Sequence, residues 1–194
     1  MFDLGEEEVA EKHGASRALL AMHEILHLIR PIIGAHKGVG VEEALYIFKD
    51  PAHAVKACLQ LRGRCRAHAE AGDEFVRVGG YGVHTGKLLF VPGTDVHWGD
   101  PVNTASKLGE DLAEDEDILI TEAVYSACGS PDDFADVTFA EVMLTRSNVQ
   151  FRAYSVKGSG EDAHPSRVSL HYARHKAISK TDVTTSIGES SGES

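Results

Sequence analysis

The sequence predicts an α/β sandwich in which several strands are antiparallel neighbours, and three observations predict it. Long stretches place apolar residues at helical spacing. Short runs rich in Val, Ile, Leu, Tyr and Phe separate them. Two Asp-Pro pairs, at 50–51 and 100–101, mark helix starts between such runs.

The elements follow in order. Residues 15 to 33 carry Leu19, Met22, Leu26, Ile29 and Ile33 at helical spacing, and Pro31 is expected to end or kink that helix. Asp50-Pro51 opens a second helix to about Glu70, with Ala54, Cys58, Leu61 and Cys65 on its inner face. "FVRVGGYGVHTGKLLFV" is expected to form two strands joined at "HTGK". Asp100-Pro101 caps a helix with Val102, Ala105, Leu108 and Leu112 inward. "DILI" is a short buried strand, and Thr121 caps the short helix after it. "FAEVML" and "VQFRAYSV" form a closing strand pair. From Lys157 the chain turns to Ser, Gly, Thr and charge, so residues 157–194 are expected to be a disordered or partner-dependent tail behind a folded domain, 1–156.

Composition narrows the function classes. The 194 residues suffice for one domain with a real core. The formal charge of −11 argues against a nucleic-acid or anionic membrane surface, while leaving room for a local cationic pocket. No apolar run reaches the roughly 18 residues of a membrane span, and "MFDLGEEEVAEKHG" has no signal-peptide core. Three cysteines, with Cys58 and Cys65 on one helix, read as buried thiols and point to a reducing cytoplasm.

Two motifs invite chemistry. His23-Glu24-Ile25-Leu26-His27 has the spacing of a zinc-binding helix. The metzincin continuation needs Gly and His where Arg30 and Ile33 stand, nothing marks Glu42 or Glu43 as a third ligand, and the pair reads as a half-exposed helix face. "DVHWGDPVNTASKLGEDL" is the second. It sets Asn103 in the first turn of a helix and Lys107 one turn later on the same face. An amide beside a cation near a helix N-terminus suits a ribose and a polyphosphate; a capped surface helix with a solvated lysine has the same spacing.

"RVGGYGVHTGKLLFV", "WGDPVNTASKLGEDL" and "ILITEAVYSAC" together resemble the class III nucleotidyl cyclase catalytic domain. "IIGAHKG" and "ALYIFKDPAHAVKACLQL" resemble its upstream half, so that the likeness covers roughly residues 2 to 156. The resemblance implies a ferredoxin-like α/β sandwich, here with a shortened first strand because only Met1 and Phe2 precede Asp3. It implies a head-to-tail homo- or heterodimer with another cyclase-type domain, a nucleoside triphosphate substrate, and two Mg²⁺ or Mn²⁺ ions held by carboxylates. Asn103 matches the ribose-orienting asparagine, and Lys107 stands at the arginine that stabilises charge on the α-phosphate. Asp3 matches the first metal aspartate, though Gly5, Glu6 and Glu7 replace the usual Gly-Phe-Thr. Glu42 falls at the second, with Val41 for its glycine. The base-reading lysine falls at Gly38 beside Lys37, and the base-reading aspartate at Val96 beside Asp95. Arg146 is the candidate late phosphate contact. These losses are one-sided. The expected function is therefore the ribose- and phosphate-contacting half of a dimeric site making a cyclic nucleotide and pyrophosphate. The alternative is a silent cyclase-fold scaffold or regulatory module.

Overall fold

The computed structural model describes residues 1–158 apart from 92, 115, 129–130 and 147–148, with backbone only at 131–132, 145–146 and 149–151. The chain runs β1 (Phe2–Asp3), α1 (Glu6–His13), α2 (Ala15–Ala35), β2 (Val39–Gly40), β3 (Tyr46–Ile47), α3 (Pro51–Glu70) and β4 (Gly80–Val83). It continues through β5 (Leu89–Phe90), β6 (His97–Trp98), α4 (Asp100–Ser106), a π-helical extension (Lys107–Leu112) and β7 (Asp117–Thr121). It closes with α5 (Glu122–Ala127), β8 (Val137–Arg146) and β9 (Val149–Gly158). The expected tail falls outside the described residues from 159 onward, and β9 itself runs to Gly158.

The main sheet has the order β1-β4-β7-β9-β8. β4 and β7 are parallel; the other neighbours are antiparallel. β1 is short and ends that order. It pairs with β4, and on its other side the Phe2 N–H bonds the Ala44 carbonyl at 3.0 Å, in the segment that leads into β3. The β2–β3 ladder continues outward from there.

Helices cover both faces. Ile118 and Ile120 of β7 join the core beneath α2 and α3, whereas Leu119 points to the other side, with Leu108, Val142 and Leu144. A strand buried on both faces reads as an unbroken apolar run, which is why "DILI" was legible.

α3 follows expectation closely. The Asp50 carboxylate accepts the Ala52 N–H at 2.9 Å, Pro51 opens the helix, and Ala54, Cys58, Leu61 and Cys65 are all buried. All three cysteines are free and buried. Burial pushes Cys58 up to about 12 and Cys65 and Cys128 up to about 11, so the thiols are inert.

α2 departs in two ways. Its buried residues are Ala18, Ala21, Ile25, Ile29, Ile32 and Ile33, so Ile29 and Ile33 lie inward as expected while Leu19 is 69% exposed. The helix is apolar on adjacent stripes, and the small side of Ala18 and Ala21 is the one turned inward. It also runs through Pro31 to Ala35. Pro31 is exposed, so the carbonyl it frees can bond water while Ile32 and Ile33 hold the last turn in the core. By length and composition α2 could also cross a membrane; here its Ile25 and Ile29 are core residues.

The two strands joined at residues 84–87 are present as β4 and β5, and each pairs elsewhere: β4 with β1 and β7, β5 with β6. Two further local points differ from expectation. Asp100 is the first residue of α4 rather than its cap, which is Gly99 at φ 151°. α1 was not anticipated, because Val9 is its only buried residue and leaves no apolar period to read.

α4 and its π extension lie directly on β4. A β-carbon on Gly82 would stand 2.0 Å from the Ala105 carbonyl oxygen and 2.5 Å from the Gly109 nitrogen. Bare backbone at that point sets how deep the helix sits.

Candidate functional site

α4 presents the first group of residues. Asn103 and Lys107 are both exposed, and the Lys107 backbone N–H bonds the Asn103 carbonyl, so they lie one turn apart. Inward-facing Ala105 and Leu108 fix that orientation. Neither side chain has a hydrogen-bond or ion-pair partner among the described residues. Lys107 is also where α-helical bonding gives way to π bonding, which carries Gly109 against β4.

The second group is acidic. Asp3, Glu42 and Glu43 line one hollow with Glu6, Glu7 and Glu110. Asp3 spends one carboxylate oxygen on the Gly5 N–H, at 3.0 Å. The other lies over Gly79, where an added β-carbon would meet it at 2.4 Å. Glu42 is turned to the β5–β6 hairpin: its Oε1 is 3.3 Å from His97 Nδ1, which also lies 3.0 Å from the Asp95 carbonyl. Among the described residues no three potential ligands gather into a metal site. The two carboxylates named from sequence therefore share a hollow without forming a site, and the Mg²⁺ or Mn²⁺ pair does not fit this chain as it stands.

The helix that follows Asp3 explains more. α1 begins with Glu6, Glu7 and Glu8. A helix N-terminus attracts anions, and here its own side chains supply them. Glu8 is further tied to Lys12 at 2.6 Å and to Arg77, which hold its carboxyl below the ordinary value. Sequence reading saw these glutamates as missing motif letters; an acidic run just after a glycine was the signal that a helix starts there.

The remaining candidates are scattered. Lys37 is exposed, in a left-handed turn at φ 59° after α2. Val96 is exposed on the β5–β6 hairpin. Its neighbour Asp95 lines a hollow with Arg30, Glu42 and Tyr46, and Lys37 does not line that hollow. The Arg146 side chain lies outside the described residues. His23 and His27 stack edge to face at 4.5 Å on the exposed side of α2.

Thr121 occupies the cap position of α5, but its hydroxyl is engaged elsewhere, 2.9 Å from His84 Nδ1. Burial lowers the His84 pKa from 6.5. The folded state favours the neutral ring, so on acidification the unfolded chain takes up the proton first. This contribution is whole above pH 6.5, fades as pH falls below it, and levels off under the folded value. Urea midpoints between pH 7 and 5 are expected to fall more steeply for the native protein than for His84→Gln. Equal slopes would remove His84 as the cause.

No protein-family model matches the sequence, and no curated protein matches it. Solved structures do. Adenylate cyclases from Trypanosoma brucei in their monomeric state align with a TM-score of 0.62 at 19% identity, over 82% of this chain and 86% of theirs. The guanylyl cyclase Cya2 aligns at 0.63 and 16%, over 85% and 92%. The adenylyl cyclase CyaB from P. aeruginosa aligns at 0.61 and 19%, over 81% and 91%. The chain therefore has a divergent form of the class III cyclase catalytic-domain fold, with the shortened first strand that the sequence predicts.

Proposed function

We propose that this chain supplies one half of a dimeric nucleotide site that converts ATP or GTP to a cyclic nucleotide and pyrophosphate. The observation that supports this is the contrast between the two groups of residues. Asn103 and Lys107 stand exposed and unengaged, one turn apart, on a helix locked to the sheet. The acidic side has its carboxylates committed internally and crowded by Glu6 and Glu7. In this reading Asn103 orients the ribose and Lys107 offsets negative charge at the α-phosphate. A second cyclase-type domain contributes the carboxylates. Exposed apolar residues on the β5–β6 hairpin (Leu89, Val96 and Trp98, the last 76% exposed) offer a surface for that partner. Three free thiols suit a cytoplasmic setting.

The test is a cyclase assay with ATP or GTP and Mn²⁺. The chain alone is expected to give no more than trace cyclic nucleotide. Mixed with a cyclase domain that keeps both metal aspartates but lacks its own asparagine, it is expected to restore output. Robust activity of the chain alone that is lost in Asp3→Ala and in Glu42→Ala would overturn the division of roles. A silent scaffold is the second reading, favoured by Glu6–Glu8 at the α1 N-terminus, where a triphosphate would meet negative charge. No output in any mixture would favour it.

A further inference from the structure

His23 and His27 take no part in the nucleotide site, yet α2 sets them up as a pair. Ile25 and Ile29, two residues on from each, are buried in the core. At 3.6 residues per turn that places the histidines about 200° round the helix, towards solvent. Both are exposed. They stand one turn apart in one row, and their rings meet edge to face at 4.5 Å with planes 70° apart. Neither ring has a hydrogen-bond or ion-pair partner among the described residues.

Two imidazoles bound to one ion, each through a nitrogen about 2.0–2.1 Å from it, bring their ring centres to about 4.5–5 Å. The pair is therefore spaced for chelation with no movement of the backbone. Imidazole selects ions such as Zn²⁺ over Mg²⁺ and Ca²⁺, which prefer oxygen. In a structural site Zn²⁺ takes four ligands. Among the described residues no third His, Cys, Asp or Glu joins these two. The described chain thus offers half a site.

Two-fold symmetry brings the same surface of two chains together, so an ion on the axis receives the identical pair twice. The surface beside the histidines suits that contact. Leu19 is 69% and Leu20 54% exposed, one turn before His23, and both would be covered by a second α2. At a formal charge of −11 each, two chains repel one another, and a bridging dication offsets that repulsion where they meet. We propose that His23 and His27 are half of a four-imidazole Zn²⁺ site, completed by the same pair of a second copy, which links two chains through α2. With imidazole at all four positions the ion has no place for a reacting water, so the site is a structural link and not a hydrolytic centre. It uses none of the residues assigned to the nucleotide half-site or to its partner surface.

Titration of the metal-free full chain with Zn²⁺, followed by sedimentation velocity and calorimetry, tests this. One Zn²⁺ per two chains is expected, with a dimer that forms on adding zinc and parts on adding EDTA. Mg²⁺ should not form it. Loss of a group that merely supports a metal ligand costs about 10–100-fold in affinity. His23→Ala and His27→Ala each remove two of the four ligands of the linked pair, so each should weaken zinc binding by about 100-fold or more and abolish the zinc-dependent dimer. Their urea midpoints should match the native protein, because both rings are exposed. His13→Ala should bind zinc as the native chain does. Zinc held as tightly by both variants as by the native chain, or one ion per chain with no dimer, would overturn the proposal. So would a dimer indifferent to zinc and to both substitutions. Cyclic nucleotide output enters none of these readouts.

Discussion

Asn103→Ala is expected to lower cyclic nucleotide output of the mixed complex by about 100-fold, the typical effect of losing one preorganised contact to a reacting group. The loss should fall mainly on kcat, because a ribose held out of line still binds through its phosphates. Folding should barely change: the side chain is exposed and has no partner among the described residues. Association with the partner should also persist, since Asn103 is not among the apolar residues Leu89, Val96 and Trp98 that offer the partner its surface. Lys107→Arg tests the neighbouring group in the opposite direction. A guanidinium can grip two phosphate oxygens where an ammonium offers a point charge, so output should hold or rise. A complex whose output ignores Asn103→Ala removes the half-site reading and leaves the scaffold.

Gly82→Val should be the most damaging single change to stability. Its β-carbon would stand 2.0 Å from the Ala105 carbonyl oxygen and 3.0 Å from the Leu108 β-carbon. Neither is the end of a flexible side chain. The whole of α4 would have to lift from β4, exposing Leu108 and straining the rung that Met1 makes with Gly82. Overpacking of this kind costs about 3 kcal/mol or more. Urea unfolding of Gly82→Val and Gly82→Ala measures it, with Gly63→Ala as the control: that glycine has open space around it, and the change should stabilise by about 0.5–1 kcal/mol. A Gly82→Val protein as stable as the native one would show that the helix is not seated by this contact.

The same contact helps explain what could be read from sequence. α3 was legible because cap, proline and apolar stripe agree, and a helix packed on one face needs nothing more. β8 and β9 were legible as adjacent long runs. β4 and β5 were legible as strands but their pairing was not, because it is decided by distant partners: β4 is held by β1 and β7, leaving β5 to pair with β6. Leu19 was misplaced because α2 has two apolar stripes and only packing chooses between them. In the candidate site, Asn103 and Lys107 could be placed because helical period alone puts them together. Asp3 and Glu42 could not, since their roles turn on which hydrogen bonds each carboxylate already makes.

The placement of β1 has a consequence in time. Phe2 bonds Ala44, and Asp3 accepts the Gly79 N–H, so these residues wait for partners about 40 and 80 residues downstream. At synthesis rates of about 5–20 residues per second, that delay is roughly 4–16 s. Through that interval α1, α2 and α3 can form locally, but the centre of the sheet cannot. β4 and the Ala44 segment must both be in place before β1 has two sides to pair with. Nascent chains stalled before Gly79 should therefore show helical protection and leave Phe2 and Asp3 open to protease, and the step that closes the sheet should come late, as the capture of β1 rather than the growth of a nucleus.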